Sequence, residues 1–92
     1  MLPGVMASRA RGLVKSLHQP EYQALCALLT EARRKAGLSQ QEVARRLKRP
    51  QSFVAKYEGG ERRLDVIEFL SVSEALGADP VKLLRSLVRK IG

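Results

Sequence analysis

Residues 39–63 read SQQEVARRLKRPQSFVAKYEGGERR, and this stretch decides the fold. Ser39 with Glu42 three positions on is a capping box. The hydroxyl satisfies an orphan helix-start N–H, and the carboxylate reaches back to the cap's own N–H. Val43, Ala44 and Leu47 then fall on one apolar face, which predicts a short helix over residues 40–47. Pro50 lacks an N–H that a first-turn position does not need, so a second helix restarts at Pro50 or Gln51 and runs to Glu58. Phe53, Val54 and Tyr57 form its inner face, and Gly59-Gly60 ends it through glycine's access to the left-handed conformation.

Two short helices joined this tightly suit a helix-turn-helix. Gln40 supplies a polar helix start, Ala44 a small residue at the crossing, and Val54 and Tyr57 the apolar contacts back to the core. Gln51, Ser52, Ala55 and Lys56 are then left on the outward face of the second helix. With these features the chain resembles the Cro and lambda-repressor-like (Xre-type) helix-turn-helix family over residues 20–88. The implied fold is all-α, five helices with the helix-turn-helix at the second and third. The implied activity is sequence-specific binding of double-stranded DNA by a small transcriptional regulator, a repressor, with the third helix in the major groove. One departure stands in the turn. The family usually has glycine where this chain has Lys48, and a lysine with positive φ is strained.

Outside the motif the same periodicity continues. Tyr22, Leu25, Cys26, Leu29, Ala32 and Ala36 repeat at threes and fours and predict a first helix over residues 20–36, closed by Gly37, with Leu38 plugging the core. Asp65 with Glu68 reads as the N-cap of a fourth helix opening at Val66 and closed by Gly77. Its apolar residues Ile67, Leu70, Val72, Ala75 and Leu76 are not confined to one side, which predicts the most enclosed helix of the domain. Asp79-Pro80 opens a fifth. Its stripe Val81, Leu84, Leu87, Val88 and Ile91, widened by Leu83, exceeds what so small a core can cover.

The 92 residues are enough for one small domain, and the apolar fraction of 45% argues for a folded one. Without tryptophan and with only Tyr22, Phe53, Tyr57 and Phe69 as aromatics, aliphatic packing carries the core. The net charge of +8 favours a polyanionic partner. Its distribution is sharper than its total. Residues 32–63 hold ten Lys/Arg against three Glu, whereas residues 64–79 hold four acids and no base. A merely solvated surface would mix its signs.

Residues 1–19 have no clear period and read as a flexible basic arm carrying Arg9, Arg11 and Lys15, separate from the domain over residues 20–92. They have no long apolar run, so they do not resemble a secretory signal. A single cysteine excludes an intrachain disulfide, and a cytoplasmic protein is the expectation. Cys26 lies on an apolar stripe and reads as a core residue. His18 reads as a surface residue, and no ligand spacing around it points to a metal. No cofactor is implied.

The DNA contacts divide into two sets. For base reading, the resemblance puts a base contact at Gln51, whose amide can pair bidentate with adenine N6 and N7. Ser52, Ala55 and Lys56 share its face. For phosphates, it puts a contact at Gln40, with Gln41 beside it, while Arg49, Arg62 and Arg63 flank the reading helix at both ends. It also pairs Arg33 with Glu58 in a structural ion pair. Of Arg45 and Arg46, one is expected to face plain solvent.

Family members usually dimerise on two half-sites about one DNA turn apart. Leu84, Leu87, Val88 and Ile91 on the fifth helix are the candidate homodimer surface. An antitoxin using the same fold and holding a toxin partner is the alternative. An enzyme is disfavoured, since one histidine, one core cysteine and no phosphate loop offer no catalytic constellation. No apolar run approaches the ~20 residues of a membrane span. An RNA-binding or membrane-surface module lacks the exposed aromatics for stacking.

Overall fold

The computed structural model describes residues 20–92. The basic arm, with Arg9, Arg11, Lys15 and His18, lies outside the described residues. Five helices follow in order, α1 (Pro20–Lys35), α2 (Gln40–Leu47), α3 (Gln51–Glu58), α4 (Val66–Leu76) and α5 (Pro80–Ile91), with no strand among the described residues. Helices α2 and α3 pack on each other. Helix α1 lies against α3 and α5, and α4 closes the far side of α2.

Local chemistry fixes the helix starts. Ser39 and Asp65 both form complete capping boxes, Ser39 with Glu42 and Asp65 with Glu68. Asp79 accepts from the N–H groups of Val81 and Lys82 at the head of α5. Pro50 sits one position earlier than a first-turn proline. It is the N-cap of α3, with extended backbone, and makes no side-chain cap bond.

The core gathers Leu29 from α1, Val43 and Ala44 from α2, Phe53, Val54 and Tyr57 from α3, and Phe69, Val72, Ala75 and Leu76 from α4. Tyr57 is enclosed in full, and the Phe53 ring meets it edge-on with centroids 5.6 Å apart. Cys26 is buried, as its place on the α1 stripe implies, and burial pushes its thiol pKa up. On α4 the expected enclosure holds only for one side. Phe69, Val72, Ser73, Ala75 and Leu76 are buried, but Val66 and Ile67 are 71% and 70% exposed and Leu70 is 44% exposed. Buried Ser73 fits because its hydroxyl donates to the Phe69 carbonyl at 2.8 Å, one turn back. No residue of α5 is fully buried, and Val81, Leu84 and Val88 are exposed.

Four helices end alike. After α1, Gly37 donates to the Arg34 carbonyl and Leu38 to the Arg33 carbonyl. After α4, Gly77 donates to Glu74 and Ala78 to Ser73. After α2, Lys48 donates to Arg45 and Arg49 to Ala44, at 3.1 and 3.0 Å. Each is a Schellman closure, which needs a left-handed residue at its centre. Gly37 and Gly77 supply it freely, whereas Lys48 adopts it with φ 57° and ψ 42°. The strain anticipated from the sequence is therefore present in the turn. The fourth such closure ends α3, where Gly60 donates to the Tyr57 carbonyl and Glu61 to the Lys56 carbonyl, and the left-handed glycine is Gly60, φ 80°, and not Gly59.

A left-handed conformation costs a residue with a Cβ ~1–2 kcal/mol. Glycine removes that cost but loses ~0.5–1 kcal/mol more chain entropy on folding. Lys48→Gly is thus expected to raise stability by ~0.5–1 kcal/mol, measured by urea denaturation. A lower midpoint would mean that the turn does not strain lysine.

Candidate nucleic-acid interface

Helix α3 presents two faces. Phe53, Val54 and Tyr57 point into the core, and Gln51, Ser52, Ala55 and Lys56 are all exposed. The alternation is that of a short helix buried along one side only, so the outward residues form one continuous surface. Phe53, Val54 and Tyr57 are buried in one core cluster with Val43 and Ala44 of α2, which holds α3 in place.

The end of α3 is held by charge. The Arg33 guanidinium donates from Nε to Glu58 Oε2 at 2.7 Å and from Nη2 to Oε1 at 3.1 Å. Its Nη1 donates to the Leu38 carbonyl at 2.9 Å. Only 13% and 6% of the two side chains are exposed, so this is a largely dry, bidentate pair in which every Arg33 side-chain nitrogen donates to an acceptor. The partner carboxylate also raises the Arg33 pKa. Glu58 accepts a third bond, from the Gln40 amide at 2.9 Å, and the Gln40 carbonyl in turn accepts from the Gln51 amide at 3.4 Å. A chain of contacts therefore runs from the core pair to the tip of α3. Gln40 spends its side chain on this relay, so an anion at the start of α2 would meet first-turn N–H groups and the exposed Gln41.

The flanking arginines divide unevenly. Arg49 and Arg62 lie over the Phe53 ring, at 4.4 and 4.8 Å from its centre, and both reach Glu68. Arg62 does so bidentately, at 2.9 and 3.0 Å, whereas the single Arg49 contact is 3.4 Å. Arg63 lies over the Tyr22 ring at 4.8 Å, and the Tyr22 hydroxyl donates to the Arg62 carbonyl, fixing the loop to α1. Arg46 turns away from this surface and donates to the Ala75 carbonyl at 2.8 Å, capping the end of α4. Both arginines are exposed, and it is this bond to α4 that sets Arg46 apart from Arg45.

In the sequence Glu68 shows only a capping role. The signal for more was its i−6 spacing to Arg62, which becomes a contact only when the loop folds back.

A family model described as a helix-turn-helix domain matches residues 24–86. A solved structure of an XRE-family like protein from Pseudomonas syringae pv. tomato str. DC3000 is 50% identical, with a TM-score of 0.78, over 89% of this chain and 96% of that one. The chain belongs to the Xre-type helix-turn-helix family of DNA-binding regulators. The restriction-modification controller protein C.AhdI from Aeromonas hydrophila is 28% identical, with a TM-score of 0.66, over 71% of this chain and 98% of that one. The controller protein C.Esp1396I, solved as a tetramer with its natural 35 base-pair operator, shares the fold at 15% identity and a TM-score of 0.73, over 80% of this chain and 97% of that one. No protein of curated function matches the sequence. Among the described residues of this Xre-type domain, no helix is long and apolar enough to cross a membrane.

Glu68 gives the domain an acid-sensitive contact. Hydrogen bonds from Arg62 and from the Asp65 N–H lower its pKa from an ordinary 4.5 to about 2. A carboxylate depressed in the folded state adds stability that is complete above its unfolded pKa and is lost as pH falls through the folded one. Urea midpoints are therefore expected to fall between about pH 5 and pH 2, and to fall less steeply in Glu68→Gln. Equal acid sensitivity in both proteins would remove Glu68 as a cause.

Proposed function

We propose that this Xre-type domain is a sequence-specific repressor that lays α3 in the major groove of double-stranded DNA. The observation that carries the reading is the exposed face of Gln51, Ser52, Ala55 and Lys56, framed by Arg49 and Arg63 on a helix whose opposite face is locked into the core. Gln51 pairs with adenine, Ser52 and Lys56 serve neighbouring bases or a phosphate, and Ala55 leaves room for a thymine methyl. The start of α2 at Gln40 and Gln41, with Arg49 and Arg63, holds the phosphates on either side.

A domain of this size reads only a few base pairs, so two copies on adjacent half-sites are required for a unique site. The homodimer forms through α5, where Leu84 and Val88 are exposed and Leu87 and Ile91 are half-buried, with the bare apolar residues of α4 extending the available surface. The same uncovered residues would suit an antitoxin's protein partner. A toxin that co-purifies in place of the second copy would favour that reading.

Selection from random duplex DNA is expected to return a palindrome. Gln51→Ala should then relax one position in each half-site and weaken binding by ~1–3 kcal/mol. Equal affinity for every sequence would overturn the reading. In sedimentation equilibrium the protein is expected to dimerise, and Leu84→Glu to make it monomeric while its helical content is unchanged. A wild-type monomer well above working concentration would remove the dimer.

A further inference from the structure

We propose that Glu68 sets the specificity of DNA binding by withdrawing Arg62 from the phosphate-gripping surface, an inference that rests on the DNA-binding reading above. The two Glu68 oxygens accept four N–H groups. Oε1 takes Arg62 Nη1 at 3.0 Å and the Asp65 N–H at 2.9 Å, and Oε2 takes Arg62 Nη2 at 2.9 Å and Arg49 Nη2 at 3.4 Å. Arg62 Nη1 spends its other hydrogen on the Arg63 carbonyl at 2.9 Å. The Phe53 ring backs the Arg62 guanidinium, so it is held by its edge and by its face. Arg49 shares the ring but makes only the one long contact, and 45% of its side chain is exposed. Arg49 is thus the guanidinium with donors to offer a phosphate, and Arg62 is a positioning residue that holds the ring and the carboxylate beneath it.

The consequence is electrostatic. Glu68 stays ionised at any working pH and cancels the Arg62 charge within hydrogen-bonding distance. A phosphate competing for Arg62 would also have to approach a fixed anion that is 19% exposed. Phosphate contacts add affinity without reading sequence. A mobile arginine finds a phosphate in any non-registered complex, whereas a registered complex dictates where each cation stands. Tethering Arg62 therefore lowers affinity for wrong sequences more than for the right one.

Fluorescence anisotropy on the selected duplex and on a scrambled duplex, over a range of salt, tests this with wild type, Glu68→Gln, Arg62→Met and Arg49→Met, each checked for folding by its thermal midpoint. Glutamine keeps a cap acceptor at the head of α4 but removes the charge. Each phosphate neutralised changes the slope of log K against log salt by about 0.9. Glu68→Gln is expected to bind the scrambled duplex more tightly with a slope steeper by about 0.9, a gain that shrinks about three- to fourfold as salt rises fourfold. The ratio of selected to scrambled affinity falls accordingly. Arg49→Met is expected to flatten the wild-type slope by about 0.9, and Arg62→Met by far less.

An unchanged slope in folded Glu68→Gln, or a full unit lost in Arg62→Met, would overturn the proposal while leaving DNA binding intact. Should Glu68→Gln not fold, the Arg62→Met slope decides alone. If wild type binds neither duplex, the DNA-binding reading fails and takes this inference with it.

Discussion

The domain depends on one ion pair. Arg33 and Glu58 join the end of α1 to the end of α3 through two charge-assisted hydrogen bonds in a nearly dry setting. Such a pair repays its desolvation only when geometry is good and the remaining hydrogen-bonding capacity is used. Both conditions are met here, because the Leu38 carbonyl takes the third Arg33 nitrogen and Gln40 supplies a further donor to Glu58. The pair does more than close a gap. It fastens the end of α3 to α1, and Gln40 links Glu58 to the Gln51 amide at the start of α3. An eight-residue helix is marginal alone, so its precision comes from what it is fastened to.

A second layer of fastening lies at the other end of the exposed α3 face. Phe53 faces the core, yet its ring also supports the two guanidiniums that Glu68 gathers. Tyr22 reaches from α1 to the backbone of the same loop. Loop residues that would otherwise wander are tied to α1, α3 and α4 together. The rigidity of the proposed interface is thus built from cation–ring and carboxylate contacts around a small apolar core.

The helices were legible because their boundaries are local chemistry. Ser39, Asp65 and Asp79 are caps whose partners lie within three residues, and Gly37 and Gly77 are stops that act on the preceding turn. Lys48 was legible for the same reason, as an L-residue at a position that demands the left-handed basin. The outward face of α4 was not legible. Apolar residues on both sides of a helix say that both could be covered, and only the tertiary arrangement shows that nothing in the described chain covers Val66 and Ile67. The Arg62–Glu68 contact escaped because a loop must fold back to make it. Arg46 escaped because its acceptor is a carbonyl 29 residues away.

The chain has no tryptophan, and both its tyrosines are enclosed, Tyr22 at 7% exposure and Tyr57 at 1%. Desolvation raises both phenols, Tyr22 to about 12 and Tyr57 further. Tyr57 lies in the core, away from the surface assigned to DNA, whereas Tyr22 sits beneath Arg63, one of its proposed phosphate contacts. Near-ultraviolet absorbance of this domain consequently reports the opening of its interior through Tyr57, while Tyr22 also senses events at Arg63. Phenolate bands in alkali would mark the loss of the fold itself, giving an internal optical gauge that needs no label.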